Sequence, residues 1–108
     1  MSPIDALFAE IKTYKDGWDG YHGQAFNHKW LDNIQKAVND AKFTPKVFPG
    51  GSKNIQLEYF TDEKNNTEIE IEGNVISVID EVDGEYTLIY HDISELNALL
   101  EKYGNSHN

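Results

Sequence analysis

The fold is decided by the stretch from Glu68 to Ile79, which reads EIEIEGNVISVI. Glutamate and isoleucine alternate over its first five residues, and alternation with a period of two is typical of a β-strand that buries one face. Gly73-Asn74 separates this run from a second apolar run, which is the pattern of a two-residue hairpin turn. The stretch therefore predicts two antiparallel strands, with the isoleucines of the first facing the core and its glutamates facing outward.

Strand patterns continue on both sides of this hairpin. Upstream, apolar and polar residues alternate from Ile55 to Phe60, and Lys64-Asn65-Asn66 predicts the intervening turn. Downstream, Asp83-Gly84 predicts a second tight hairpin before the strand Tyr86–Tyr90. We therefore expect a four-stranded antiparallel meander. A fifth, edge strand at Lys46–Phe48, followed by a Pro-Gly-Gly turn, is an open alternative.

Two helical patterns precede the strands. Ser2-Pro3 predicts a helix start, and apolar residues at helical spacing carry that helix to about Tyr14. Asn27 can cap a second helix, which should end near Lys42 because Pro45 disfavours helical backbone at the residue before it. The predicted apolar face of this second helix comprises Trp30, Ile34, Ala37, Val38 and Ala41.

A last helix follows the strands. Asp92-Ile93-Ser94-Glu95 has the pattern of a capping box, and Gly104 takes the C-terminal capping position. The N-terminal helical hairpin, the meander and the C-terminal helix together predict a single α+β domain over residues 1–108. We expect the helices to lie on one face of the sheet.

The two N-terminal helices are joined by an aromatic loop, which runs from Asp16 to Gly23 and reads DGWDGYHG. Its three glycines and two aspartates disfavour a helix. Because large rings are costly to expose to water, we expect Trp18 and Tyr21 to tuck under the helices. Together with Trp30 they are the predicted structural anchor of the N-terminal half on the sheet.

Metal-binding and catalytic patterns are weak. The two aspartates of the aromatic loop lie close to His22 and His28, but the spacing matches neither a calcium loop nor the HExxH zinc helix. Gly50-Gly51-Ser52-Lys53 lacks the spacing of a phosphate loop and precedes a strand. We predict no metal, no cofactor and no enzyme activity. A pocket lined by one of these histidines and an acid would revive a small-molecule enzyme.

Charge is distributed unevenly along the chain. Residues 1–54 hold seven lysines and six acids, a net of +1, whereas residues 55–108 hold two lysines and thirteen acids, a net of −11, which together give −10. All nine basic residues are lysines, so the arginine forks that suit phosphate groups are missing. We therefore expect no direct nucleic-acid binding, and electrostatically steered association with a basic protein.

The cellular location is predicted from segments that the sequence lacks. No run of about 18 apolar residues predicts a membrane span. The start, Met1–Asp5, lacks the basic and apolar regions of a signal peptide, and the chain has no cysteine. We predict a cytoplasmic protein, in a bacterial or phage-infected cell, without a membrane partner.

Outward-facing glutamates form the predicted binding site. Glu68, Glu70 and Glu72 lie on one strand face roughly 6.7 Å apart. Glu58 extends that face if its strand pairs alongside, and the rim of the site comprises Asp80, Glu81, Asp83 and Glu85. Like charges at this spacing repel one another, and a basic partner relieves that repulsion. The alternative is a solvated face that only keeps the protein soluble.

Three motifs resemble those of a loose group of small bacterial and phage proteins that carry a WDGY turn and an IQLEW-type strand. They are GWDGY at 17–21, IQLEY at 55–59 and EIEI at 68–71, and the resemblance spans residues 14–80. Tyr59 stands where that group often has Trp, and His22–Ala25 replaces its usual Gly-Ala and proline. The resemblance implies a microbial or phage origin and no particular activity.

We therefore predict a non-enzymatic acidic protein that inhibits or neutralises a basic macromolecule, such as a nuclease or toxin. An antitoxin, an immunity protein and a phage inhibitor of a host defence nuclease, such as an anti-CRISPR protein, fit this description, and nucleic-acid mimicry is a narrower version. The alternative is a self-associating accessory protein that uses exposed aromatic residues. Those residues are Phe43, Phe48, Phe60 and Tyr86. The oligomeric state stays open, a dimer included.

Overall fold

Five antiparallel strands form a single sheet in the computed structural model, which describes residues 2–108. The strands neighbour one another in the order of the chain, and they are β1 (Lys46–Gly50), β2 (Asn54–Asp62), β3 (Asn65–Glu72), β4 (Val75–Val82) and β5 (Glu85–Asp92). The helices are α1 (Pro3–Ile11), α2 (His28–Asp40) and α3 (Leu96–Ser106), and a short 3-10 turn at Ile93–Glu95 precedes α3. The predicted α+β fold is confirmed, with β1 as the fifth strand of the sheet.

The sheet register places the isoleucine rows on one face. Ile69 lies opposite Leu57 on β2 and opposite Val78 on β4, and each of the three is at most 1% exposed. Ile71 repeats this arrangement two residues further along the strand, and it is also fully buried. Complete burial of such a side chain stabilises the fold by about 1.5–3 kcal/mol. These rows therefore form the sheet side of the core.

All three helices contribute side chains to the same core. Their most deeply buried residues include Phe8, Ile11, Leu31, Ile34, Val38 and Leu100. The predicted apolar face of α2 did not include Leu31, which is fully buried. Trp30 and Ala41, which were predicted to lie on that face, are only partly buried. None of the helices in residues 2–108 has both the length and the apolar content needed to cross a membrane.

The helix starts are capped by side chains, as predicted. The hydroxyl of Ser2 and the carboxamide oxygen of Asn27 each accept a hydrogen bond from the backbone N–H three residues further on, at 3.1 and 2.9 Å. Asp92 and Glu95 form the predicted capping box, which begins the 3-10 turn ahead of α3. Each cap satisfies backbone donors that the helix itself leaves unpaired.

The first two helices end slightly earlier than predicted. α1 ends at Ile11 rather than Tyr14, because the backbone N–H groups of Thr13 and Tyr14 donate to carbonyl oxygens three residues back and tighten the chain into a turn. α2 ends at Asp40 rather than Lys42, since the backbone of Ala41 is already extended.

Gly104 lies inside α3, so its predicted capping position is wrong. A side chain at this position would stand 3.2 Å from the hydroxyl of Tyr59 and 3.4 Å from the Cβ atom of Phe43. A glycine inside a helix costs about 1 kcal/mol relative to alanine. The close approach of α3 to β2 is the structural reason for a glycine here, and the helix continues to Ser106.

Two turns also lie elsewhere than predicted. Asn65 and Asn66 belong to β3, and the tight turn before them is Glu63-Lys64. The carboxylate of Asp62 accepts hydrogen bonds from the backbone N–H of Lys64 at 2.8 Å and from the Asn65 side chain at 3.1 Å, which keeps the hairpin short. Pro49 likewise belongs to β1, and the following turn occupies residues 51–53.

The aromatic loop is held by its own aspartate. One carboxylate oxygen of Asp19 accepts hydrogen bonds from the backbone N–H groups of Tyr21 and Gly23, at 2.9 and 2.8 Å. The turn that these bonds enforce directs the ring of Tyr21 into solvent, where the residue is 84% exposed. The predicted burial of Tyr21 is therefore wrong.

A chain of aromatic rings connects the N-terminal half to the sheet. The rings of Tyr14 and Trp18 stack with centroids 4.7 Å apart, and Phe26 lies between Trp18 and Trp30 at 6.2 and 6.3 Å. The indole N–H of Trp30 donates to the carbonyl oxygen of Gly73, in the β3–β4 turn, at 2.8 Å. Trp30 thus links α2 directly to the β3–β4 turn, and Trp18 joins Trp30 through Phe26.

A hydrogen-bonded cluster, the Thr67 cluster, joins the end of the chain to the sheet. The buried hydroxyl of Thr67 donates to the Asp80 carboxylate at 2.6 Å and lies 2.8 Å from Nε2 of His107. Because its single proton goes to Asp80, the hydroxyl accepts the Nε2–H proton of His107. Nδ1 of His107 is then left to accept from the Thr61 hydroxyl, 2.6 Å away.

We predict that Thr67→Val lowers the free energy of unfolding by about 1–3 kcal/mol, because it leaves the His107 N–H without its partner inside the protein. Urea unfolding followed by circular dichroism measures the change. The control is Thr87→Val, at an exposed position opposite Asp80 on β5, which should change stability by no more than about 0.5 kcal/mol. Equal losses in the two variants would contradict a special role for the Thr67 cluster.

Several carboxyl groups make the fold sensitive to acid. Accepted hydrogen bonds lower the pKa of five carboxyl groups: Asp5, Asp19, Asp62, Asp92 and Glu95. A carboxyl group whose pKa is lower in the folded state stabilises the fold above its unfolded pKa, and this stabilisation is lost as the pH falls through the folded value. The free energy of unfolding should therefore fall as the pH drops below about 4.

Asp19→Asn tests this assignment, because backbone N–H groups are the main cause of the lowered pKa of Asp19. Urea unfolding between about pH 7 and about pH 2 should show a shallower acid decline for this variant than for the unchanged protein. Glu63→Gln, in an exposed turn, is the control that removes a carboxylate without removing these hydrogen bonds. An unaltered acid decline in Asp19→Asn would refute the contribution of the loop.

Candidate protein-binding face

The face of the sheet opposite the helices, which we call the open face, carries every second residue of each strand. The register places Gln56 and Glu58 of β2 on this face, beside Glu70 and Glu68 of β3. No element of residues 2–108 packs over it, and the buried residues of β2 and β3, and those of β4 as far as Val78, alternate with half-buried or exposed ones. The open face is therefore available to a partner.

Four glutamates form an acidic ridge across the centre of the open face: Glu58, Glu68, Glu70 and Glu72. Glu58 and Glu68 lie directly opposite each other in neighbouring strands, which places two like charges side by side. Lys46 lies opposite Glu58 on β1, but the ridge takes part in no ion pair within 4 Å. The lysine ion pairs in residues 2–108 join Lys12 to Asp32 and Lys36 to Asp40. Nδ1 of His91 lies 3.3 Å from the carboxylate of Glu95.

Apolar side chains border the acidic ridge on both sides. On the β1 and β2 side they are Phe48 and Phe60, which are 44% and 54% exposed. On the β4 and β5 side they are Ile79, Tyr86, Leu88 and Tyr90. Phe43, which the sequence groups with these aromatics, packs against the helical core instead. Charge and exposed aromatic surface thus occupy one face.

A shallow depression at one end of the open face combines the two kinds of side chain. Its lining includes Glu58, Glu68, Phe60, Tyr86 and Glu81. The two rings are three strands apart, roughly 14 Å, and Glu81 lies in the row between them. Glu58 and Glu68 lie side by side in the adjacent row. The depression therefore has an anionic floor between aromatic walls.

Hydrogen bonds hold the floor of this depression. Glu81 is only 7% exposed, and its carboxylate accepts a hydrogen bond from the Asn66 side chain at 3.0 Å. A hydrogen bond to Glu81, and secondly the charge of that carboxylate, raise the pKa of the Tyr86 hydroxyl. The hydroxyl of Tyr86 and the carboxylate of Glu81 are therefore neighbours in the lining of the depression.

The predicted rim does not form one surface with the ridge. Glu81 points to the open face, but it is buried in the floor of the depression. Asp80 points to the helix side, where it belongs to the Thr67 cluster. Asp83 lies in the turn between β4 and β5, and Glu85 begins β5 on the helix side. The structure brings together the four ridge glutamates and Glu81, and it separates the other three acids from them.

The histidines of the N-terminal half lie away from the open face. Nε2 of His28 is 2.8 Å from the carbonyl oxygen of Lys12, and His22 is exposed beside Asp19. In the part of the chain that the structure describes, no three His, Cys, Asp or Glu side chains converge as metal ligands would. Ser52, in the former phosphate-loop candidate, donates its backbone N–H to Asn54 in a turn.

Sequence reasoning missed the apolar residues that β4 and β5 add to the open face, chiefly Ile79, Leu88 and Tyr90. The available signal was the length of the Asp83-Gly84 hairpin, which fixes the residue of β5 that lies opposite each residue of β4. Counting outward from that turn places these three residues on the same face as the glutamates.

Comparison with known proteins adds no further constraint on this face. The chain matches no protein-family model, and no curated protein and no solved structure is significantly similar to it.

Proposed function

We propose that this protein is a non-enzymatic binding protein that neutralises a basic protein partner through its open face. The observation that supports this best is the depression whose lining combines the carboxylates of Glu58 and Glu68 with the rings of Phe60 and Tyr86. An antitoxin, an immunity protein or a phage inhibitor of a host nuclease would act in this way. The proposal places it in the cytoplasm of a bacterial or phage-infected cell.

The depression suits the side chain of a lysine or an arginine. A cation over the face of an aromatic ring gains about 0.5–2 kcal/mol, the larger value applying when water is excluded. The carboxylates of Glu58 and Glu68 would accept its hydrogen bonds, and hydrogen bonds between charged groups are roughly twice as strong as neutral ones. Aromatic anchors beside charged groups are also typical of the residues that dominate binding energy at protein interfaces.

The acidic ridge contributes to the rate of encounter. Its four carboxylates lie in the half of the chain that carries a net charge of −11, so their field attracts a positively charged surface from a distance. Such steering raises association rates by about 10- to 1000-fold at low salt. The aromatic border, which salt does not screen, would then hold the complex together.

Nucleic-acid mimicry is the narrower form of the proposal. The ridge glutamates recur roughly every 6.7 Å along β3, whereas each strand of duplex DNA carries one charge per about 3.4 Å. Phe60 and Tyr86 at the ends of the depression have no counterpart in a phosphate backbone. Duplex DNA should nevertheless compete with the protein for its partner if the ridge occupies a nucleic-acid site, and simultaneous binding would exclude mimicry.

We predict that Glu68→Gln raises the free energy of unfolding of the free protein by about 0.2–1 kcal/mol, because it removes the repulsion from Glu58 across the strand pair. Urea unfolding at low salt measures the effect. Glu10→Gln, on the exposed side of α1, is the control that makes the same change in net charge. Equal stabilisation by both variants would show that total charge, and not the ridge, is responsible.

The partner can be identified by capture from a bacterial or phage-infected lysate at about 0.1 M and about 1 M salt, since salt screens charged contacts. The triple variant Glu68→Lys, Glu70→Lys, Glu72→Lys should then slow association with the captured protein at least about tenfold. Surface plasmon resonance separates this effect on the association rate from any change in dissociation.

The matched control replaces Glu10, Asp40 and Glu101, all exposed on the helical side, by lysine. It makes the same change in net charge away from the open face and should slow association less. Binding that is unchanged in the ridge variant, or weakened equally by both variants, would overturn the assignment of the open face.

A further inference from the structure

We propose that the free edge of β5 pairs with β5 of a second copy of this chain, in antiparallel register about a two-fold axis at Leu88. The two five-stranded sheets would then form one continuous sheet of ten strands. The proposal is independent of the basic partner proposed above. It is supported by the two edges of the sheet, by the backbone groups that β5 leaves unpaired, and by the self-complementary sequence of that strand.

The two edges of the sheet differ in their protection against pairing. β1 is a five-residue strand that contains Pro49 and begins at Lys46, and both residue types discourage edge pairing. β5 has eight residues, pairs with β4 without a bulge, and contains neither proline nor lysine. A long, regular edge of this kind is a template for another strand.

The geometry of the β4–β5 hairpin identifies which backbone N–H and C=O groups of β5 do not bond to β4. Asp83 and Gly84 have φ values of 52° and 84°, as a two-residue type I′ turn requires, so Glu85 forms the first hydrogen-bonded pair with β4. Hydrogen-bonded and non-hydrogen-bonded pairs alternate along two antiparallel strands. At the other end of β5 the backbone N–H of Ile93 donates to the carbonyl oxygen of Asn74 at 2.9 Å, which is the bond expected of an odd-numbered residue. Odd-numbered residues of β5 therefore bond to β4.

The even-numbered residues of β5 consequently direct their N–H and C=O groups to the free edge. These residues are Tyr86, Leu88 and Tyr90, whose side chains lie on the open face and are 68%, 53% and 66% exposed. Backbone pairing at this edge would satisfy their donors and acceptors. It would also cover part of the apolar border described above.

The sequence of β5 complements itself in one register. With Leu88 on the axis, Tyr86 faces Tyr90 of the second copy, so aromatic rings pair on the open face. On the helix side, Glu85 faces His91 of the second copy, whose Nδ1 is 3.3 Å from its own Glu95. No two residues that pair directly across the axis are both acidic. A register centred one residue later would place Tyr86 against the Asp92 carboxylate of the second copy. It would lose both the pairing of the aromatic rings and the pairing of Glu85 with His91. This self-complementarity is the reason to name a second copy as the occupant.

Salt should strengthen this pairing, whereas it should weaken the attraction of a basic partner. Each copy carries a net charge of −10, so two copies repel each other at long range. The screening length falls from about 10 Å at 0.1 M salt to about 3 Å at 1 M, which removes most of that repulsion. Pairing through uncharged backbone and apolar side chains is therefore favoured by high salt.

Sedimentation equilibrium at about 0.1 M and about 1 M salt tests the pairing. The expected result is a species of twice the 12.3 kDa chain mass that becomes more populated at high salt. Leu88→Pro should abolish it, because proline removes a free-edge N–H that β4 does not use. Leu88→Lys, which opposes two ammonium groups on the axis, gives the same test if the proline variant does not fold.

Phe48→Lys is the matched control, because it removes an exposed ring from the open face at the opposite edge of the sheet. It should leave the dimer intact. A protein that is monomeric at both salt concentrations would overturn the proposal. Dimers that survive both Leu88 variants and are lost in Phe48→Lys would also overturn it, since they would be held by the open face and not by the edge of β5.

A cysteine variant tests the register in a chain that has no cysteine of its own. Leu88→Cys should form a disulfide-linked dimer under mild oxidation, because paired Cα atoms at the axis stand about 5.5 Å apart, within the range for a disulfide. Tyr90→Cys should not link to itself in this register. Linkage of Tyr90→Cys without linkage of Leu88→Cys would refute a two-fold axis at Leu88.

Discussion

The structure depends on the burial of one face of the sheet by three helices. Period-two alternation in β2, β3 and β4 assigns the isoleucine and leucine rows to that face, and the helices cover it with Phe8, Leu31, Ile34 and Leu100. The same alternation compels the intervening residues to point the other way. An uncovered second face, with its glutamates and aromatic rings, is therefore a consequence of how the core is built.

Much of the architecture could be predicted from the sequence because its signals are local. The hairpin at Gly73-Asn74, the caps at Ser2 and Asn27 and the alternation in β3 each involve residues within a few positions of one another. Tyr21 could not be placed in this way, because its exposure follows from the hydrogen bonds that Asp19 accepts across the turn.

Contacts between residues that are far apart in the chain, and the membership of the candidate site, could not be predicted from such local signals. The position of Gly104 inside α3 follows from contact with Tyr59, which lies 45 residues earlier in the chain. The ridge glutamates could be predicted because a single strand determines their common face. The separation of Asp80 from Glu81 was missed because β4 continues to Val82, beyond the apolar run that ends at Ile79, and adjacent residues of a strand point to opposite faces. A cluster of acids in sequence is therefore not a cluster in space.

The open face and the free edge of β5 share residues but respond to different forces. The acidic ridge opposes the approach of any negatively charged molecule, a second copy included, and it favours a basic one. The edge of β5 offers backbone hydrogen bonds and apolar side chains, whose attraction does not depend on charge. Tyr86 belongs to both, since its ring lines the depression and its backbone lies at the free edge. Occupation of the edge would therefore place the second copy's Tyr90 beside one wall of the depression, and the two proposed contacts would meet at Tyr86.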